Sequence, residues 1–305
     1  MEVQIVAGCL SVVGVLVAIK RWWNETPFVR FNLVVGLIHF ASVTAMAFIN
    51  DNNWTATVTV FNNRMVCVDN GCQTTPTIEE FGGFPIIWPI VISGLVSGAF
   101  HMAQRDDTPL MTGVNPLRWL DYAVSSASMV VAIAMLFGVT DVYVIVVCAL
   151  FQCALMLYTL VMELHDLTGY SYFGPSVFFY LVGVWLPILV SAYTGFRDQP
   201  EFVTVIVWMI FGVFAAFGVV FWVFKVHKWI TNPRYYEFSY MGLSLCAKTS
   251  LAWTFYGGSA AMGRSDSVGV VGLIIGGMIL LGLAVTIAGV VLVHPRARSK
   301  TSSYL

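Results

Sequence analysis

Charge is what this sequence has least of. Charged residues make up 10% of its 305 positions, against roughly 25% in soluble domains, so an ordinary water-soluble fold is excluded. The few charges nearly cancel, to −1, and no basic domain or stripe is present, which excludes a nucleic-acid partner. No glycine-rich phosphate loop follows a strand, no internal repeat is visible, and no polar stretch is long enough for a soluble output domain; the chain does not read as an enzyme. Cysteine is also scarce, with six residues. Cys9, Cys148, Cys153 and Cys246 fall in apolar runs, where a thiol behaves as a small hydrophobe, and no zinc-type pairing occurs, so no metal is expected.

What is present in quantity is apolar surface: 58% of residues are hydrophobic. Long apolar runs cover residues 2–19, 31–49, 83–103, 116–138, 142–163, 174–195, 202–225, 237–258 and 268–293, each long enough to cross about 30 Å of hydrocarbon as a helix. The pattern predicts an all-α polytopic membrane protein with short connections. The first run has no basic residue before it and no small-residue cleavage site before Lys20, so it reads as a retained helix instead of a signal peptide.

Basic residues set the expected orientation. One set of loops holds Lys20, Arg21, Arg30, Arg105, Arg118, Lys225, Lys228, Arg234, Arg296, Arg298 and Lys300; the alternate set holds only Arg64, Arg197 and Arg264. This places the N-terminus outside and the C-terminal tail in the cytoplasm. The one long connection, residues 50–82, then lies outside. In it TATVTVF over 55–61 alternates strictly, Asn62-Asn63-Arg64 reads as a turn and MVCV follows, predicting a β-hairpin. Cys67 and Cys72 flank the turn sequence Asp69-Asn70-Gly71 on the oxidising side and are a disulfide candidate.

Lys248 stands inside the eighth run, in SLCAKTSLAWTFYGG. A lysine at mid-membrane costs about 3 kcal/mol on insertion scales, and it has too much apolar helix on both sides to snorkel easily. It is either paired with an acid in a transporter-like core or kept as a buried nucleophilic amine for a Schiff base. Among the acids, Asp121 lies clearly inside a span, with Glu163 at a helix end. Arg118, Asp121, Ser125 and Ser128 recur at helical spacing behind Pro116, a stripe that must face the bundle interior. Asp121 and Lys248 are expected to be partners. Ser244 shares the face of Lys248, four residues before it. His39 lies midway along its span, and His101 ends the third near the side of Arg118 and Asp121. Phe214, Phe217 and Phe221, with Trp222 beside them, are packing residues or one wall of a polyene site. Gly272-xxx-Gly276, with Gly277 and Gly282, allows close helix packing, within the chain or between two copies; a homodimer is the expected assembly.

A buried lysine in the last helix of a seven-helix core, with R-x-x-D opening the third, resembles the microbial-type rhodopsins, and the finer resemblance is to the heliorhodopsins. It rests on SLCAKTSLAW, LRWLDYAVSS, FNLVVGLIHF and SGAFHM, and spans about residues 30–259. The resemblance implies a seven-helix bundle over 30–260, preceded by an extra N-terminal helix in 1–29 and followed by an extra C-terminal one in 261–305. It implies all-trans retinal on Lys248 as a protonated Schiff base, Asp121 as counterion, and Ser244 where pumps carry a second carboxylate. His39 and His101, with Arg118, become candidates for a cytoplasmic proton-accepting cavity. Ser125, Gln152, Phe214, Phe217 and Trp253 become chromophore-pocket candidates, with Pro187 near them. Asp121 departs from the family's usual Glu by one methylene.

The function this implies is a light sensor acting through an unidentified cytoplasmic signalling partner, with no net pumping. Ala132 stands eleven residues beyond Asp121, where pumps of this design hold a reprotonating acid. Within the same fold the rival is a light-gated proton or ion channel. From another class the rival is a transporter or receptor built on a Lys248–Asp121 ion pair, and retinal separates the two, since only a rhodopsin becomes coloured.

Overall fold

The computed structural model describes residues 2–49, 55–68, 71–166, 170–195, 201–260 and 267–293. The helices are α1 (Glu2–Trp22), α2 (Pro27–Ile49), α3 (Ile87–Ala103), the short α4 (Thr108–Thr112), α5 (Pro116–Leu136), α6 (Val142–Leu164), α7 (Tyr170–Val177), α8 (Leu186–Gly195), α9 (Glu201–Phe221), α10 (Pro233–Ala260) and α11 (Ser267–Leu292). A π-helical stretch, Phe178–Trp185, joins α7 to α8 as one span, and a shorter one, Trp222–Val226, ends α9. The core bundle is therefore α2, α3, α5, α6, α7–α8, α9 and α10, with α1 and α11 added at the ends.

Seven helices among the described residues are long and apolar enough to cross a membrane. Two bundle members fall outside that group for visible reasons. α3 has 17 residues, because the strand before it runs to Pro85 and the helix starts at Ile87 instead of residue 83. α10 buries Glu237, Ser244, Lys248, Thr249, Ser250 and Thr254, and those polar groups dilute its hydropathy.

Local chemistry sets the helix ends. Pro27, Pro116 and Pro233 open α2, α5 and α10, where a missing N–H costs nothing. Asn115 caps α5 by accepting from the Arg118 amide at 3.2 Å, and Asp141 caps α6 by accepting from the amides of Tyr143 and Val144. Gly138 follows α5 at φ +75°, a left-handed turn that favours glycine. α2 and α3 approach closely because both present glycine: a Cβ on Gly36 would lie 3.0 Å from the Gly98 carbonyl oxygen.

Between α2 and α3 stands an antiparallel hairpin of β1 (Thr55–Val68) and β2 (Gly71–Pro85). Asn62-Asn63-Arg64 is not a turn. The three residues lie mid-strand opposite Thr77, Pro76 and Thr75, and the chain reverses only between Val68 and Gly71. The strict alternation before Asn62 gave no reason to extend the strand, and cross-strand pairing overrode the turn propensity of Asn-Asn. Cys67 and Cys72 oppose each other in this register; their side chains lie outside the described residues, as do Asp69 and Asn70. The hairpin is fastened to the α5–α6 turn by the Thr59 amide donating to the Thr140 carbonyl at 2.8 Å.

Candidate functional site

α10 carries two faces. Glu237, Ser244 and Lys248 follow one helical row, while Phe238, Gly242 and Cys246 follow another about half a turn away. The first row faces the bundle. Lys248 is 6% exposed, and its ammonium is accounted for. Nζ donates to Ser244 Oγ at 2.7 Å, lies 3.8 Å from Asp121 Oδ2, and sits 4.9 Å above the Tyr122 ring. The carboxylate contact is an ion pair without a direct hydrogen bond, since 3.8 Å is beyond hydrogen-bonding range. Asp121 is fixed from the other side by Ser97 of α3, whose Oγ is 2.8 Å and 2.6 Å from its two oxygens.

On one side of Lys248 lies a small apolar cavity of about 40 Å³. Its walls include Met129, Tyr180, Phe214 and Phe217, and Ser126 and Gln152 add polar groups to those of Ser244 and Lys248. Gln152 Nε2 donates to Ser126 Oγ at 2.9 Å, leaving its buried Oε1 without a partner among the described residues. A larger space of about 530 Å³ between α6, α7–α8 and α9, of the size that holds small cofactors, shares Leu155, Met156, Tyr180, Phe214 and Phe217 with it. Tyr180 is held across the bundle, donating to the Phe211 carbonyl at 2.6 Å. An elongated apolar molecule ending in a group that reacts with an amine fits this donor set: one lysine, one carboxylate beside it, and aromatic walls.

The other side of Asp121 is polar. A small cavity of about 20 Å³ is lined by Asn32, His101, Arg118, Asp121 and Glu237, among others. The Asn32 amide is oriented by Nδ2 donating to the Phe28 carbonyl at 3.1 Å, so its Oδ1 faces His101 Nδ1 at 2.8 Å. Because Oδ1 only accepts, Nδ1 carries the proton, and Nε2 of His101 is the nitrogen able to accept another. His39 stacks on His101 at 5.5 Å between ring centroids, and its buried Nε2 has no partner among the described residues.

Below this cavity lies a buried ionic cluster. The Arg118 guanidinium bridges two carboxylates, pairing with Glu163 at 2.8 Å and with Glu237. Glu163 also accepts from Trp119 Nε1 at 2.7 Å and Tyr236 OH at 2.9 Å, and Asn115 Nδ2 donates to Glu237 at 2.5 Å. Asp121 is therefore not the sole buried acid, and Arg118 is bonded to these two carboxylates.

The structure brings Lys248, Ser244, Gln152, Phe214 and Phe217 together around the apolar cavity, and Asp121, His101 and Arg118 around the polar one. Ser125 is fully buried and its Oγ has no partner among the described residues, but Ser126 is the serine lining the cavity. Trp253 is not at the cavity: its indole turns to α2 and donates to Ser42 Oγ at 2.8 Å. Ser97, Tyr122, Tyr180 and Glu237 belong to the sites and were not singled out from sequence. Ser97 lies one helical turn before His101, which was its available signal. Glu237 sits where the apolar run begins, a position that ordinarily reads as solvated.

The family model described as Heliorhodopsin matches residues 28–260. No curated protein matches the sequence. Among solved structures, the light-driven proton pump LR (Mac) from Leptosphaeria maculans is similar at 11% identity and a TM-score of 0.41, over 83% of this chain and 92% of that one.

Proposed function

This chain belongs to the heliorhodopsin family, and from that premise we propose that it is a retinal photoreceptor in which Lys248 holds the chromophore and Asp121 balances its charge, without net ion pumping. The observation that carries the reading is the Lys248 amine at the end of an aromatic-walled cavity with a fixed carboxylate 3.8 Å away. All-trans retinal, condensed through its aldehyde with the lysine amine and with loss of water, supplies visible absorption and a light-driven change of shape. The chain's residues do the rest. Met129, Tyr180, Phe214 and Phe217 shape the cavity and keep water from Lys248. Ser97 aims both oxygens of Asp121, holding a negative charge where a positive nitrogen must be stabilised in low dielectric. Ser244 accepts the lysine N–H now and is placed to keep that role. A proton leaving Lys248 Nζ has a route through Asp121 to His101 Nε2 in the polar cavity, with the Arg118 cluster beneath it. On the opposite side, Ala132 is fully buried and offers no proton to complete a vectorial cycle. The same layout supports a sensor whose output is a change of shape.

The test is a visible spectrum of the purified protein before and after all-trans retinal is added. A band that appears with retinal and is bleached by hydroxylamine is the expected result. A protein that stays colourless, with retinal partitioning only into detergent, overturns the reading and leaves a Lys248–Asp121 ion pair of another membrane protein.

A further inference from the structure

The second face of α10 is occupied by α11, a helix beyond the region matched to the family. Backbone meets backbone there. A Cβ on Gly282 would lie 2.7 Å from the Gly242 carbonyl oxygen and 2.8 Å from Cys246 Cβ, distances that leave no room for a methyl group. Thr286 Oγ1 lies 3.0 Å from the Gly282 carbonyl oxygen of its own helix and 3.2 Å from the Phe238 carbonyl oxygen of α10, so its one proton is shared between the two helices. At the far end Arg234, in the first turn of α10, donates to the Val290 carbonyl at 2.5 Å and to the Val293 carbonyl. The contact thus runs along α10 from Arg234 to Cys246, directly behind Glu237, Ser244 and Lys248. α11 also packs against α9, but Leu273, Leu280, Ile287 and Leu292 are all more than 60% exposed, and Gly276 and Gly277 meet nothing among the described residues.

Close-packed helices of this kind move together or lose their contacts, because packed interfaces do not deform continuously. We propose that α11 is the output element of the molecule: a displacement of α10 at Ser244–Lys248 is carried through the Gly242–Gly282 contact and the Arg234 cap to the end of α11 at Val293. The inference rests on the proposed retinal attachment, since light must act on α10. It assigns Gly282, Thr286 and Arg234 a coupling role separate from chromophore binding. Coupling is reciprocal, so loosening α11 must also alter how α10 returns to its resting position.

The test uses the full chain reconstituted with retinal, with exposed Cys9 replaced by Ser and a nitroxide attached at Leu292→Cys, or at Leu150→Cys of α6 as a control. Illumination should change the nitroxide spectrum at position 292 and leave position 150 unchanged. In Gly282→Leu the dark visible band should remain, while the light-induced change at 292 is lost and the recovery of the dark band shifts at least threefold in rate. Thr286→Val, which removes one hydrogen bond without added bulk, should weaken the change in the same direction and serves if Gly282→Leu fails to accumulate. A normally cycling pigment with no light-dependent change at 292 overturns the coupling. So does a change of full size in both variants. If the unsubstituted protein forms no pigment, the retinal reading falls, and the coupling to light falls with it.

Discussion

Lys248 donates its hydrogen bond to Ser244 and is only ion-paired to Asp121, and this division of labour separates what their substitutions should do. Lys248→Ala removes the amine and should abolish the visible band after retinal addition while leaving expression largely intact; a hydroxylamine-sensitive pigment in that variant would sink the attachment site. Asp121→Asn keeps the shape but removes the negative charge beside the nitrogen, so the protonated imine is disfavoured. Part of the pigment should then absorb in the near ultraviolet at neutral pH, and a visible band unchanged across an acid-to-alkaline titration would exclude Asp121 as counterion. Lys248 and Asp121 were legible in sequence because hydrocarbon penalises charge so heavily that each stands out against its apolar run. Ser97 was not, since an uncharged hydroxyl in a membrane helix costs little and marks nothing. Glu237 escaped for a different reason: an acid at the edge of a span is normally solvated, and only packing against Arg118 and Asn115 buries it.

Arg118 shows how elements are tied together by one residue. Through Glu163 and Glu237 it joins α5 to α6 and α10, and the Tyr236 and Tyr240 rings cover its guanidinium at 4.7 Å and 4.6 Å. Removing one partner of a buried pair costs about 3–5 kcal/mol, because the other charge is left uncompensated in low dielectric. Arg118→Gln strands two carboxylates at once. The pigment should therefore denature at a clearly lower temperature than the unsubstituted protein, and a conservative Glu163→Gln should lose less, since Arg118 stays paired with Glu237 and the glutamine oxygen can still accept from either Tyr236 or Trp119. A thermal midpoint for Arg118→Gln equal to that of the unsubstituted protein would show that the cluster does not hold the helices. The helices themselves were readable from length and hydropathy, and the hairpin from its alternation. The extent of β1 was not: Asn62-Asn63-Arg64 has turn chemistry, and its strand conformation is imposed by the partner strand residues Thr77, Pro76 and Thr75.

At the scale of the whole molecule the arrangement is asymmetric: buried charge gathers at the Arg118 end, and the opposite end of α5 is apolar around Ala132. Light should accordingly produce no sustained pH change in a suspension of expressing cells, and a protonophore-sensitive drift of pump size would reject the sensor reading. Passive light-gated current under voltage clamp would favour a channel instead. The same asymmetry bears on orientation. Arg21 reaches the Met102 and Gln104 carbonyls at the end of α3, and Arg234 reaches the end of α11 at Val293. Lys225 lies 3.8 Å from Glu163, so Arg21, Arg118, Lys225 and Arg234 gather at one end of the bundle, where the chain also leaves α11. Basic residues near span ends resist translocation, and on that ground we propose that this end, with the tail carrying Arg296, Arg298 and Lys300, faces the cytoplasm. A bundle lacking α1 and α11 would place its own termini the other way round, so the two added helices decide the outcome. An epitope tag after Leu305 should stain only in permeabilised cells, whereas a tag inserted between Asp69 and Asn70 of the hairpin should stain intact ones. A C-terminal tag visible on intact cells would mean that α11 does not cross the membrane, and the coupling drawn from α10 to Val293 would then have no cytoplasmic end to act on.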